Sequence, residues 1–255
     1  MSETKIEWAE KSWNPVTGCS KVSDGCLHCY AEKMAKRLQA TGVAKYKDGF
    51  AVRCHPEYLA EPLHWRKPSR VFVCSMADLF HEDVPVWFID RVFEVMEACP
   101  QHTFQVLTKR AKRLEGGIYG FDVECPVRCL GGGDYLPNVH LGVTVENQKA
   151  ADERIPILLD TPASVRWVSC EPLLDFVDFT AEQWRKLDWL VVGCETGPNR
   201  RECWLEWVNY LVNRATAYAV PVFVKKLVIN GKVSKDPAEW PVWARRREYP
   251  EAKHA

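Results

Sequence analysis

Six short apolar runs, rich in β-branched and aromatic residues, recur from residue 71 onward, and their rhythm restricts the fold more than any other feature of the chain. They cover residues 71–75, 103–107, 139–143, 165–169, 189–193 and 222–224. The separation is close to the roughly 30 residues of a βαβ unit. A short further strand is expected just before the cysteines near residue 19. Runs without polar alternation mark strands covered on both faces, as in a parallel sheet. Between them lie stretches of helical period. Residues 84–99 predict a helix with Asp83 as N-cap, Pro85 in the first turn, and Phe88, Val92, Val95, Met96 and Cys99 on one stripe. Residues 202–219 predict another, with Leu205, Val208, Leu211 and Val212 facing inward, and Asn147 and Thr180 are expected caps for two more. The alternation predicts an α/β fold, either a partial or closed TIM-like (β/α) barrel of mainly parallel strands or an open doubly wound sheet.

Polar residues follow each run at the same place: Ser75 and Asp78, Thr108 and Lys109, Thr144 and Glu146, Glu171, Glu195 and Thr196, and Lys225 and Lys226. Those are the carboxyl ends of the strands, where parallel barrels carry their chemistry, and the pattern favours the barrel. Strands must end in something polar, but six in succession ending in hydroxyl, carboxylate or ammonium groups point to a site. Glu171, Glu195 and Lys225 follow three different strands and are the expected catalytic set, suited to substrate binding or proton transfer. The alternative is that Glu171 pairs with Lys225 and only holds the barrel mouth. Residues 1–231 read as one barrel domain with a loop inserted at about 120–137, and residues 232–255 as an extended C-terminal tail.

Lys plus Arg and Asp plus Glu number 34 each, so no global field favours a polyanion, and any such partner needs a local patch. Basic runs occur at Arg66 to Arg70, at Lys109, Arg110, Lys112 and Arg113, and at Arg245 to Arg247; runs of this kind are more often solvated faces. No stretch approaches the ~20 apolar residues of a membrane span, so no membrane partner is expected and a cytoplasmic location is. The eleven cysteines then meet a reducing compartment, where structural disulfides are rare. Cys54, Cys74, Cys99, Cys170, Cys194 and Cys203 are dispersed and read as core or near-core residues.

The other five cysteines read differently. Cys19, Cys26 and Cys29 stand as C-x6-C-x2-C in GCSKVSDGCLHCY, within a loop that its glycines and Ser23-Asp24 allow to fold back on itself. Three thiolates holding a four-iron cubane leave one iron without a protein ligand, open to a substrate or cofactor. The competing reading is a structural zinc site of the three cysteines with His28, in a nucleic-acid-interacting protein without radical chemistry. Cys125 and Cys129 form a C-x3-C pair with the donor chemistry for zinc, or a second cluster, if two further ligands join them; carrying no metal is the alternative.

The elements WNPVTGCSKVSDGCLHCYAEKMAKRL, VFVCSMADLFHEDVP, FQVLTKR, VHLGVTVENQ, VRWVSCEPLL, LDWLVVGCETG and VFVKKL, spread over residues 5–227, resemble a phage- and prophage-associated three-cysteine family that shares features of the radical S-adenosylmethionine superfamily. The superfamily's common spacing is C-x3-C-x2-C, and the first gap here is six residues. The resemblance implies a [4Fe-4S] cluster on Cys19, Cys26 and Cys29 that reductively cleaves S-adenosylmethionine. The resulting 5′-deoxyadenosyl radical would then abstract hydrogen from a substrate such as a nucleotide or modified DNA base. It further implies that His28 packs near the adenine, that Ser75 and Asp78 bind the methionine amine, and that Thr144 and Glu146 hold the ribose. A flavodoxin- or ferredoxin-type electron donor is the implied partner.

Overall fold

The computed structural model describes residues 4–114 and 135–251, and Cys125 and Cys129 lie outside them. In chain order the elements are strands β1 (Lys11–Trp13) and β2 (Val16–Thr17), helix α1 (Tyr30–Ala40), strands β3 (Arg53–Cys54) and β4 (Arg70–Val73), helix α2 (Val86–Glu97), strands β5 (Thr103–Thr108) and β6 (Val139–Thr144), helix α3 (Gln148–Asp160), strand β7 (Val165–Cys170), helix α4 (Ala181–Lys186), strand β8 (Trp189–Gly193), helix α5 (Leu205–Ala217), and strands β9 (Val222–Ile229) and β10 (Lys232–Ser234). Eight strands form one sheet in the order β1-β4-β5-β6-β7-β8-β9-β10, all neighbours parallel except β9 and β10. The fold is therefore α/β with a mainly parallel sheet, and β1 stands just before the cysteines as the sequence requires.

Each strand sorts its residues by parity, because successive side chains point to opposite faces. Val71, Val73, Phe104, Val106, Leu141, Val143, Val168 and Val192 join the helices in the larger core. Phe72, Val165, Trp167, Trp189, Val191 and Phe223 turn to the other face and form a second cluster with Trp8. Trp8 precedes β1 yet packs edge-on against Phe72 at 4.6 Å, Trp167 at 5.4 Å and Trp189 at 6.2 Å. The sheet thus curls around Trp8, while its two edges, β1 and β10, belong to opposite ends of the strand order: a partial barrel rather than a closed one. Room for Trp167 inside comes from Gly142 on β6, where an added Cβ would fall 2.4 Å from the indole ring.

Helix ends are set locally. Asn147 accepts the Ala150 amide, and Thr180 forms a reciprocal box with Gln183, so both expected caps are present. The expected cap Asp83 is not one: Pro85 holds extended backbone (ψ 144°), so α2 starts at Val86. Likewise α5 begins at Leu205, after an extended Trp204. Residues after β9 turn back as β10 and then return along β9 through the Phe223–Arg247 bridge. Trp240 is buried there, and Arg247 stacks on Phe223 and Trp240 at 4.7 and 5.2 Å, so this arginine fastens the chain end. Of the six dispersed cysteines all are free; five are buried and Cys54 is half-buried. No helix among the described residues is long and apolar enough to cross a membrane.

Candidate active site at the carboxyl ends of the strands

The strand ends open into a cavity of about 580 Å³. Its lining includes Cys19, Cys26, Cys29 and His28 from the cysteine loop, Ser75, Asp78, Thr144, Glu171 and Glu195 from four strand ends, and Lys225 from within β9, which runs on to Ile229 instead of ending at residue 224. The structure therefore brings together every sequence-predicted site residue within the described chain except Glu146. That carboxylate is fully buried and paired with Arg154 at 2.9 Å, and it backs the cysteine loop from behind, since a Cβ on Gly25 would lie 3.2 Å from its carboxyl carbon.

The loop is shaped by its backbone before any ligand is considered. Gly18 adopts φ +83°, and a Cβ there would stand 2.0 Å from the Ala51 carbonyl oxygen, so no other residue fits ahead of Cys19. Its amide donates to the Met76 carbonyl at 3.0 Å, and the Cys19 amide to that of Phe50 at 3.2 Å. Cys26 closes a short 3₁₀ turn (Asp24–Cys26), and Cys29 is the residue from which α1 starts.

Two arginines then clamp this loop to the barrel. Arg110, just after β5, is buried; its guanidinium donates to Cys19 Sγ at 3.3 Å and to Ser20 O and Oγ at 3.1 and 2.8 Å. Glu82 at 2.9 Å and Asp78 at 3.4 Å hold it in place. On the far side Arg201 donates to both oxygens of Glu195, at 2.6 and 3.1 Å, and to the Asp24 carbonyl at 2.9 Å. His28 Nδ1 completes this network by donating to Glu195 Oε2 at 3.0 Å. Burial alone would raise the Glu195 pKa; the hydrogen bonds from Arg201 and His28 reverse this and hold it at about 2. Burial pushes the Cys19 thiol up to about 11, with Arg110 acting against it.

The remaining polar groups are largely occupied. Asp78 accepts from Phe80 N at 3.1 Å, Thr108 Oγ1 at 2.8 Å and Lys109 N at 3.0 Å, besides Arg110. Ser75 donates to Asn14 Oδ1 at 3.1 Å, and its carbonyl accepts from the Tyr30 hydroxyl. Thr144 Oγ1 meets Lys109 Nζ at 3.5 Å. Glu171 lies 2.9 Å from Lys225 Nζ and 2.6 Å from Lys226 Nζ; burial opposes its ionisation, but the two ammonium groups bring it down to about 2.

Arg110, Arg201 and Asn14 are the site residues that sequence patterns did not single out for this role, and Lys226 stood out only as the polar neighbour of Lys225. Arg110 carried a signal, as the first residue past the polar strand end in FQVLTKR, but its basic neighbours made it look solvated. Arg201 had none.

Among the described residues no three His, Cys, Asp or Glu side chains converge on a single ion. Three thiols from one loop that open into one cavity are a donor set able to hold three irons of a cluster and leave the fourth open. His28 Nδ1 is committed to Glu195 and is not free to complete a zinc set.

A curled, mainly parallel α/β sheet with a three-thiol loop clamped over its carboxyl-end cavity is the class of protein that fold and site define. The chain belongs to the family described as "Protein of unknown function (DUF5131)", whose profile matches residues 3–239. No curated protein matches it. Among solved structures it is similar to spore photoproduct lyase complexed with dinucleoside spore photoproduct, at 10% identity and TM-score 0.48, covering 87% of this chain and 77% of that one. A doubly substituted mutant of the same lyase with bound AdoMet and dinucleoside spore photoproduct gives 11% identity and TM-score 0.46, over 84% of this chain and 63% of that one.

Proposed function

We propose that this chain is a radical S-adenosylmethionine enzyme acting on a nucleotide or a modified nucleic-acid base, with Cys19, Cys26 and Cys29 holding a [4Fe-4S] cluster. The observation that carries the reading is the set of three thiols on one clamped loop, facing the same cavity as the polar strand ends. When bound, the reduced cluster would supply an electron that cleaves S-adenosylmethionine to a 5′-deoxyadenosyl radical able to take hydrogen from substrate.

The chain's own residues prepare that chemistry. Arg110 fixes Cys19 and Ser20, while Arg201 and Glu195 fix Asp24 and His28, so the loop is braced by side chains of the chain itself. His28, Ser75, Asp78 and Thr144 line the cavity that the thiols enter and are assigned to the cofactor's adenine, amine and ribose. Glu146 supports the loop from behind. Glu171 and Lys225 face the substrate, and Glu195 links the substrate side to the loop. Trp8 and Phe72 floor the cavity with apolar surface that keeps water from the reacting atoms. A flavodoxin- or ferredoxin-type protein is the assigned reductant.

The test is anaerobic reconstitution with iron and sulfide, reduction in the presence of S-adenosylmethionine, and chromatography for 5′-deoxyadenosine. Formation of that product, lost in Cys26→Ala, supports the reading. A colourless protein carrying zinc and no iron or sulfide overturns it in favour of a structural zinc site.

A further inference from the structure

Lys225 and Lys226 are adjacent in sequence, yet both reach the same carboxylate oxygen of Glu171, at 2.9 and 2.6 Å. A regular strand would send them to opposite faces. The ladder between β8 and β9 shows why they are not separated: Val192 pairs with Val224, but the next residue, Gly193, pairs with Lys226. Lys225 is thus the extra residue of a β-bulge, a device that re-aims side chains next to functional sites. Gly193 lies against the group, since a Cβ there would be in van der Waals contact with Glu171 Cγ and Lys226 Cγ, both at 3.4 Å.

Two ammonium groups therefore share one carboxylate in a place where each of the three side chains is at most 14% exposed. Glu171 balances only one of the two, and Glu7, the other carboxylate acting on Lys226, is itself paired with Lys235 at 3.3 Å, so one positive charge is left over in a place held away from bulk water. The excess extends around the cavity. Its lining holds six cationic residues (Lys5, Lys109, Arg110, Lys225, Lys226, Lys235) against three carboxylates (Asp78, Glu171, Glu195). Those carboxylates are already bound to Arg110, to the two lysines and to Arg201. Lys235 leans on Glu7 at 3.3 Å, whereas the Lys109 ammonium is hydrogen-bonded to a neutral hydroxyl. A chain with 34 basic and 34 acidic residues thus concentrates positive charge in its large strand-end cavity.

We propose that the Lys225–Lys226 pair is the anchor for a phosphate of the substrate, with Glu171 spacing the two ammonium groups apart. A phosphate ester offers several oxygens and more than one charge to two cations, which a lone carboxylate does not. The cavity also carries aromatic surface, with the Trp8 ring 6.0 Å from the Lys225 ammonium and Phe50, Phe72 and Tyr30 elsewhere in its lining, the combination of cation and aromatic surface that takes a nucleotide. The proposal rests on the cavity being the substrate cavity of the proposed function, but not on the cluster being loaded.

The test is equilibrium binding to the full chain by calorimetry. The probes are inorganic phosphate, the four deoxynucleoside 5′-monophosphates, the four deoxynucleosides, and a short single-stranded oligonucleotide. At least one monophosphate or the oligonucleotide should bind, and removing the phosphate should weaken binding roughly tenfold or more. Lys226→Met and Lys225→Met, checked for native circular dichroism, should lose most of that advantage. Glu171→Gln should bind the phosphate more tightly, because a competing anion is gone. Preference for the oligonucleotide assigns the phosphate to a nucleic-acid backbone, and preference for a monophosphate to a free nucleotide. Equal binding of nucleotide and nucleoside, or unchanged binding in both folded lysine variants, overturns the anchor. Phosphate binding that persists in a chain making no 5′-deoxyadenosine would overturn the radical reading and leave the anchor standing.

Discussion

Replacing Glu195 by glutamine separates a brace for the cysteine loop from a group that serves substrate alone. The amide keeps the shape but removes the charge, and its NH2 faces the Arg201 guanidinium or the His28 N–H, which need acceptors. Holding this carboxyl at about 2 instead of 4.5 corresponds to roughly 3 kcal/mol of folded-state interaction. Its side chain is only 6% exposed, so solvent screens little of that. Glu195→Gln should therefore unfold in urea with a free energy lower by about 2–3 kcal/mol at neutral pH. The sign with pH is fixed: a carboxyl depressed in the folded state contributes fully above its ordinary value and loses that contribution as pH falls from 4.5 toward 2. The gap between wild type and variant should narrow accordingly when the unfolding is repeated near pH 3.5. Limited proteolysis should also cut the variant sooner between residues 19 and 29. Equal unfolding free energies at neutral pH, or a gap that stays undiminished in acid, would refute the bracing argument. Impaired conversion with unaltered stability would assign Glu195 to substrate instead.

Single alanine replacements of Cys19, Cys26 or Cys29 should abolish iron retention, measured after anaerobic reconstitution, while circular dichroism stays native. Cys170→Ala should keep full iron content, because Cys170 is buried in β7 and is absent from the cavity lining, and should cost on the order of 1 kcal/mol in packing, read by thermal unfolding; Cys194→Ala should also keep it, although Cys194 borders the cavity just past β8. Gly18→Ala should be among the most damaging small substitutions, costing roughly 1–3 kcal/mol from φ alone and more from the clash with Ala51, and it should lower iron uptake by displacing Cys19. His140, buried inside the barrel, has its pKa brought down by burial from 6.5 to about 4. The unfolded chain takes up that proton first, so stability should be fully present above pH 6.5 and fall toward pH 4. His140→Gln should flatten part of that slope, with His55, His81 and His102, shifted the same way, supplying the rest.

Local pattern in the sequence determined the strands, the caps at Asn147 and Thr180, and the cysteine loop, because each depends on a few neighbouring residues: runs of apolar side chains, a short polar side chain before a helix, glycines where the chain must turn. Strand ends could be located the same way, and with them Ser75, Asp78, Thr144, Glu171 and Glu195, whereas Lys225 lies inside β9, which runs on to Ile229. Whether such residues face one cavity is not a local property. Parity along a strand is legible only if the strand is regular, and the bulge at Lys225 depends on how β9 pairs with β8, so the inward turn of both Lys225 and Lys226 emerges only from that pairing. Glu146 follows β6 as Thr144 ends it, yet Arg154, eight residues on, draws it behind the loop. Arg110 looks solvated among basic neighbours until Cys19, Ser20, Asp78 and Glu82, from distant segments, surround it. The curl of the sheet, too, is decided by a tertiary contact: Trp8 lies before the first strand but packs on Trp167 and Trp189, more than 150 residues away. Short-range propensities choose the elements, whereas burial of a charge or a ring depends on what the rest of the chain places around it.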